Sequence, residues 1–241
     1  MPDPSHDFYE RIADRFEGLD HPDDLRRRLS AVFDEYLAGV RLSGKLTLDA
    51  GCGYGPFSEA AARRGAAVVS VDIGERLVAL ASARAASRGV VADARCLAFR
   101  DESFDVVISS EMVEHTDSPE RVIAELARVT RRGGLFVLTT PNRAWQWPVR
   151  VASRFGLRPF RGLENFVDWR RLESLCAVAG LEVVAHRGLH PWPFHIGFQN
   201  AARYVERCLA RGPMARLMVN QALVARKVAG PTSSRRLTLI G

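Results

Sequence analysis

Apolar and polar positions follow two rhythms that change near residue 45. Before it, "HDFYERIADRFE" (residues 6–17) sets Phe8, Ile12 and Phe16 four apart, the spacing of one helical face. "HPDDLRRRLSAVFDEYLAGV" follows with Leu25, Leu29, Val32, Phe33 and Tyr36 on one face, acids in its first turn and Gly39 near its end, which predicts a second helix. From Leu46 short apolar runs alternate with amphipathic ones. "KLTLDAG", "AAVVSVD", "VVADA", "FDVVISS" and "GLFVLTT" read as strands, and "PFSEAAARR", "ERLVALASARAASR" and "PERVIAELARVTRR" as helices. Apolar strands separated by helices predict an α/β fold, a mostly parallel sheet covered on both faces.

Beyond Pro141 the periodicity lapses in "NRAWQWPVRVASRFGLRPFRGLENFV". It returns as a helix, "DWRRLESLCAVAG", and a strand, "LEVVAHRG". A proline-rich turn, "LHPWPFHIG", leads to another helix, "QNAARYVERCLAR", and to a strand within "RLMVNQALVARKV". The expected organisation is a helical cap over 1–44 and an α/β domain over 45–229, with 141–167 as a lid or substrate insertion and 230–241 as a flexible tail.

Composition narrows the class. The 241 residues are 47% hydrophobic, enough for a sizeable core. The net charge of +6 rests on arginine, since Lys45 and Lys227 are the only lysines. Dispersed arginine of this kind is a solvated surface, and no nucleic-acid partner is expected. Cys52, Cys96, Cys176 and Cys208 form no CxxC pair, so neither a zinc site nor a disulfide framework is predicted. The acidic start "MPDPSHDFYERIADRF" lacks a signal-type apolar core, and no apolar run is long enough to span a bilayer. A cytoplasmic protein, monomer or homodimer, is the expectation.

Candidate chemistry lies at the strand ends. In such a sheet the loop after the first strand must turn sharply and bring its backbone near a ligand, which glycine allows. Gly51, Gly53 and Gly55 meet that need, and Pro56 suits the first helical position. Pro56 also stands where the dinucleotide fingerprint has its third glycine, so "GCGYG" departs from that pattern. Asp72 closes the second strand, where a carboxylate can accept from both ribose hydroxyls; capping the next helix is its structural alternative. Asp93 is the next acid along the rim.

Taken together, "LDAGCGYG", "VVSVDIG", "VADARCLAFRDESFDVVISSEMVEH" and "PERVIAELARVTRRGGLFVLTTPN" resemble the class I S-adenosylmethionine-dependent methyltransferases, in the subgroup of ubiquinone-type and other small-molecule O-methyltransferases. The resemblance runs from Leu46 to Asn142. It implies a Rossmann-like, seven-stranded sheet with the final strand inserted antiparallel, "QALVARKV" being the candidate. It also implies S-adenosyl-L-methionine as cofactor and a small-molecule acceptor. By the same resemblance Asp49, Gly51, Cys52, Gly53 and Gly55 would surround the cofactor's amino-acid part. Asp72 would hold the ribose and Ile73 the adenine face, with Asp93 and Ala94 at the adenine's polar edge. Ser110 and Glu111 would lie near the sulfonium, and Tyr9 and Arg15 would close over the cofactor.

A phenol or alcohol acceptor must lose a proton, and His115 in "EMVEHTDSPE" is the candidate general base, with Glu111 beside the reacting centre. Shaping the loop is the other reading of His115. Trp145, Trp147 and Phe160, alternating with arginines, together with His190, Trp192 and His195, are candidate acceptor contacts. The segment 143–161 reads either as a lid over a hydrophobic or aromatic acceptor or as a contact with an anionic membrane. No metal is expected. The first alternative to oxygen methylation is an N- or C-methyltransferase, followed by an RNA methyltransferase, a nicotinamide-dependent oxidoreductase and a non-catalytic cofactor-binding regulator.

Overall fold

The computed structural model describes residues 4–155, 164–193 and 198–228. The tail expected over 230–241, Phe160 and His195 lie outside these residues.

Seven strands form one sheet in the order β3-β2-β1-β4-β5-β7-β6. They are β1 (Leu46–Ala50), β2 (Ala67–Asp72), β3 (Arg88–Val91), β4 (Phe104–Ser110), β5 (Thr130–Pro141), β6 (Leu181–Leu189) and β7 (Asn220–Lys227). β1 pairs in parallel with β2 and β4, and β4 with β5, whereas β7 runs antiparallel between β5 and β6. The antiparallel final strand therefore stands where the sequence places it. Strand order reverses between β1 and β4, so the crevice at their carboxyl ends is the ligand position that this topology offers.

Alternation along the strands feeds two cores. Leu48, Val107, Phe136 and Leu138 pack with Val122, Ile123 and Leu126 of α5 (Pro119–Val129) and Leu172 of α7 (Trp169–Val178) on one face. Val106, Ile108, Val137 and Val224 pack with Phe57 of α3 (Pro56–Ala62) and with Val32 and Phe33 on the other. Those last two belong to a π-helical stretch, Ser30–Tyr36, that continues α2 (Pro22–Leu29). Pro22, Pro56 and Pro119 each open a helix at a position whose N–H has no intrahelical partner. α4 (Glu75–Ala85) packs beside α3, and no helix among the described residues is long and apolar enough to cross a membrane.

Three boundaries differ from the pattern. The helix read over 6–17 stops as α1 (Pro4–Ile12) and tightens into 3-10 turns at Ala13–Arg15 and Glu17–Leu19, which set the Phe16 ring against Gly53. The third strand lies earlier than "VVADA", at Arg88–Val91, leaving Asp93 in the following turn. It is an exposed edge strand, so no buried face fixed it in the sequence. The insertion after β5 carries a 3-10 turn, Arg143–Trp145, and α6 (Gln146–Arg154). α8 (Gln199–Leu209) and a 3-10 turn, Pro213–Leu217, lead into β7.

Candidate active site

The loop after β1 is pinned to β2. Gly51 and Cys52 donate backbone N–H groups to Val71 O at 2.8 and 2.9 Å. Gly53 N–H reaches Asp72 Oδ2 at 2.9 Å and Gly74 N–H reaches Oδ1 at 3.1 Å. Gly51, Gly53 and Gly55 hold φ of +76°, +50° and +90°, a region that L side chains rarely adopt. A Cβ on Gly51 would lie 2.3 Å from Met112 Cγ, one on Gly53 2.9 Å from the Phe16 ring, and one on Gly55 2.6 Å from Ala81 Cα. The close approach that glycine permits here is thus, in part, that of the protein's own side chains.

Beneath the loop, Asp49 is buried and accepts from Ser58 Oγ at 2.6 Å; burial pushes its carboxyl up to about 6. Burial also raises Asp72, against the opposing effect of its backbone donors.

Between this loop, the N-terminal segment and the ends of β4 and β5 lies a cavity of about 200 Å³. Gly51, Cys52 and Gly53 border it on one side and Ser110, Glu111, Glu114 and His115 on another, with Tyr9 and Phe16 over it. Glu111 follows β4 at φ +53°. Its carboxyl accepts from Thr139 Oγ1 at 3.0 Å and Asn220 Nδ2 at 3.2 Å, and burial drives its pKa well up. Glu114 is 1% exposed, accepts from Thr140 Oγ1 at 2.9 Å and is pushed by burial to about 7. His115 Nε2 stands 3.8 Å from Glu114 Oε1, and the His115 ring is 6.3 Å from that of Tyr9. Burial, with Asp72 and Glu114 nearby, raises the Tyr9 phenol and keeps it protonated.

A residue that sequence reasoning passed over provides a cation here. Arg28 lines the cavity while only 3% exposed. Its Nε donates to Asp24 Oδ2 at 2.8 Å, Nη2 to Asp20 Oδ1 at 2.9 Å and Nη1 to Ser110 Oγ at 3.0 Å. Burial alone would raise Asp24, but the charge of Arg28 and the His190 ring, with Nε2 2.8 Å from Oδ1, bring its carboxyl down to about 2. The i,i+4 pair Asp24 and Arg28 was the available signal, hidden inside an "RRR" run that resembles a solvated surface.

The other predicted positions spread outward. Arg15 is exposed, and Ile73 and Ala94 are half-buried along the rim. Asp93 gives both carboxylate oxygens to Arg95, at 2.6 to 3.0 Å. His190 is buried behind Asp24, its N–H donating to Glu206 Oε2 at 2.9 Å. Trp145 Nε1 donates to Leu217 O at 2.9 Å, Trp147 is 75% exposed and Trp192 is half-buried. None of Arg15, Trp145, Trp147, His190 and Trp192 lines the cavity; the insertion reaches it through its two ends, at Pro141 and at Glu164 and Phe166.

Residues 48–138 match the family model described as "Methyltransferase domain". A relative from Xanthomonas euvesicatoria, a ubiquinone biosynthesis O-methyltransferase, is 35% identical over 201 residues, 77% of this chain and 84% of the relative. The chain belongs to the class I S-adenosylmethionine-dependent methyltransferases. The cofactor of that family is S-adenosylmethionine, and the donor set fits it. An amino-acid moiety needs N–H donors for its carboxylate and acceptors for its ammonium, and the cavity lining offers Arg28 for the first and Glu111 for the second. A ubiquinone biosynthesis O-methyltransferase from Rhizobium etli is 35% identical over 159 residues, 61% of this chain. The chain spans 64% of that relative's length, under two thirds. Among solved structures, the magnesium protoporphyrin IX methyltransferase of Synechocystis with bound S-adenosylhomocysteine superposes with TM-score 0.66 over 92% of this chain and 97% of its own. At 19% identity that likeness concerns the fold.

Proposed function

We propose that this methyltransferase transfers a methyl group to a hydroxyl oxygen of a small hydrophobic or aromatic acceptor: a phenol, quinone precursor, natural product or sugar. The observation that carries this reading is the pair His115 and Glu114, 3.8 Å apart, on the same cavity as the Gly51–Gly53 loop. The names of the ubiquinone-type relatives support oxygen as the methylated atom.

Bound S-adenosylmethionine supplies an already activated methyl group, so the protein's task is alignment, exclusion of water and removal of the acceptor's proton. When the cofactor is bound, Arg28 would hold its carboxylate and Glu111, on the same cavity, would accept from its ammonium. Asp72 retains acceptor capacity beyond its two backbone donors and would take the ribose hydroxyls. With Asp93 engaged by Arg95, the backbone at Ala94 would meet the adenine edge. Tyr9 and Phe16 keep water out. His115 accepts the acceptor's proton at its ring nitrogen, and Glu114 stabilises the imidazolium that results. The four cysteines are free thiols, which suits a cytoplasmic site of action.

Titration calorimetry with S-adenosylhomocysteine, on wild type and Asp72→Ala, tests the cofactor site, and transfer of labelled methyl to a panel of phenols, catechols and sugars tests the reaction. Saturable binding weakened on the order of a hundred-fold by Asp72→Ala is expected, because two charge-assisted hydrogen bonds are lost. His115→Gln should lower turnover about 10²–10⁴-fold with binding unchanged. Absence of binding by folded wild type would refute the cofactor site, and undiminished turnover in His115→Gln would refute the base.

A further inference from the structure

We propose that His190 is a positioning residue of the cofactor site: it fixes Arg28 and Glu111, the two charged side chains that would receive the amino-acid end of S-adenosylmethionine. This rests on the proposed role of Arg28 and Glu111 at that end. His190 acts through them, since it is 1% exposed and lies outside the cavity lining.

Arginine is a long side chain, and its fork serves a ligand best when it is already held in one place. Arg28 Nε donates to Asp24 Oδ2 at 2.8 Å, so the aim of the guanidinium follows that of the Asp24 carboxylate. A carboxylate gripped by one oxygen can still turn about its terminal torsion, which is broad. The His190 ring supplies the second grip, with Nε2 2.8 Å from Asp24 Oδ1. The line from His190 through Asp24 and Arg28 then ends on the cavity at Ser110 Oγ, 3.0 Å from Nη1.

The backbone of the same residue supports the carboxyl side. His190 O accepts from Val219 N–H at 2.8 Å, just before β7 begins. The next residue, Asn220, donates to Glu111 Oε2 at 3.2 Å. His190 N–H donates at 2.9 Å to Glu206 Oε2, the oxygen that Arg27 Nη1 also reaches at 2.7 Å. Arg27 and Arg28 are neighbours on α2, so a closed circuit runs from α2 through Glu206 of α8 to His190 and back to α2. His190 follows β6 at φ +58°, a left-handed conformation uncommon for a residue with a Cβ. Such a conformation persists where its surroundings hold it, and here the ring, the N–H and the carbonyl are all engaged.

His190→Asn and His190→Gln separate this role from general stability. Asparagine suits a left-handed backbone but its amide ends one bond short of the Nε2 position, whereas glutamine suits that backbone less and reaches. Titration calorimetry of the full chain compares S-adenosylhomocysteine with methylthioadenosine, which carries the adenosine and the sulfur but neither carboxylate nor ammonium. His190→Asn should weaken S-adenosylhomocysteine about ten- to a hundred-fold, the scale of one charge-assisted hydrogen bond, and leave methylthioadenosine within about two-fold. His190→Gln should restore most of that loss, against its backbone preference. In wild type, the ring nitrogen resonance that His190→Gln removes should move on adding S-adenosylhomocysteine and stay in place with methylthioadenosine; this arm needs no disrupted variant. The proposal is overturned if folded His190→Asn weakens both ligands alike, if it binds S-adenosylhomocysteine as tightly as His190→Gln, or if the wild-type ring resonance ignores that ligand. Arg28→Met tells two failures apart. Selective loss of S-adenosylhomocysteine in Arg28→Met, with His190→Asn binding as wild type does, removes the role of His190 alone. Wild-type proportions of both ligands in Arg28→Met would remove the proposed role of Arg28, and that of His190 with it.

Discussion

Replacing Arg28 by methionine separates two functions that this side chain combines. In the fold, its guanidinium is the cation for Asp24 at 2.8 Å and Asp20 at 2.9 Å, and it donates to Ser110 at 3.0 Å, all with 3% of the residue exposed. Methionine fills much of the volume and removes the charge, leaving Asp24 buried with His190 as its remaining partner at 2.8 Å. Breaking a buried pair in this way costs about 3–5 kcal/mol. In a chain of this size each kcal/mol corresponds to about 2–4 °C, so a fall of roughly 6–20 °C in melting temperature is expected.

The pH dependence has a definite sign. In wild type the Asp24 carboxyl lies at about 2, below its ordinary 3.8, so its contribution is fully present above that ordinary value and is lost as pH falls from there through about 2. Without Arg28 burial dominates and the carboxyl rises, so ionisation becomes the unfavourable event and the deficit grows as pH increases from acid to neutral. Thermal melts of wild type, Arg28→Met, Asp24→Asn and the double variant at pH 4.5 and 7.5 measure this. The double variant should regain a large part of the loss, since no buried charge is stranded. A single variant melting within about 2 °C of wild type, or strictly additive effects, would refute the buried pair. S-adenosylhomocysteine binding by the double variant, once it is shown folded, then isolates the ligand role.

Gly51→Ala places a methyl group 2.3 Å from Met112 Cγ at φ +76° and should destabilise by about 2–5 kcal/mol, from backbone strain and overpacking together. Met112→Ala in the same chain should recover the packing share; a melt unaltered by Gly51→Ala would contradict the loop geometry. Glu114→Gln tests the proton-accepting pair. The wild-type rate should rise with pH as the pair loses a proton, in the range around 7 where the Glu114 carboxyl lies. The variant should lose turnover and shift that limb with little change in cofactor affinity. Superimposable profiles would remove Glu114 from the reaction.

How much of this was readable in advance depended on whether a physical constraint acted over a short stretch of chain. Leu48 and Ala50 run into glycines because the first turn needs positive φ, and Val69 and Val71 end on Asp72 because both faces of β2 are covered; such constraints leave a local pattern. β3 carries no such pattern, since its residues are largely exposed, and its boundary was misplaced. Arg28 escaped notice because its partners Asp20 and Ser110 converge on it only after folding. Trp145 and Trp147 show a different limit. Their spacing suggested a lid over the site, but one bonds to Leu217 O and the other faces solvent, a distinction that composition does not encode.

β7 follows every other strand in sequence yet lies between β5 and β6. During synthesis β5 therefore waits with an open edge and β6 with no neighbour, for on the order of 10 s at the usual pace of translation. The same strand brings Asn220 to Glu111, and Gln221, whose Nε2 donates to Val167 O at 2.7 Å, to the closing end of the insertion. A nascent chain can thus contain the whole glycine loop and still lack a finished cavity. Ligand binding then cannot protect the growing domain, and the exposed edge of β5 becomes the point at which a slowed or interrupted synthesis would lead to aggregation rather than to a partly active product.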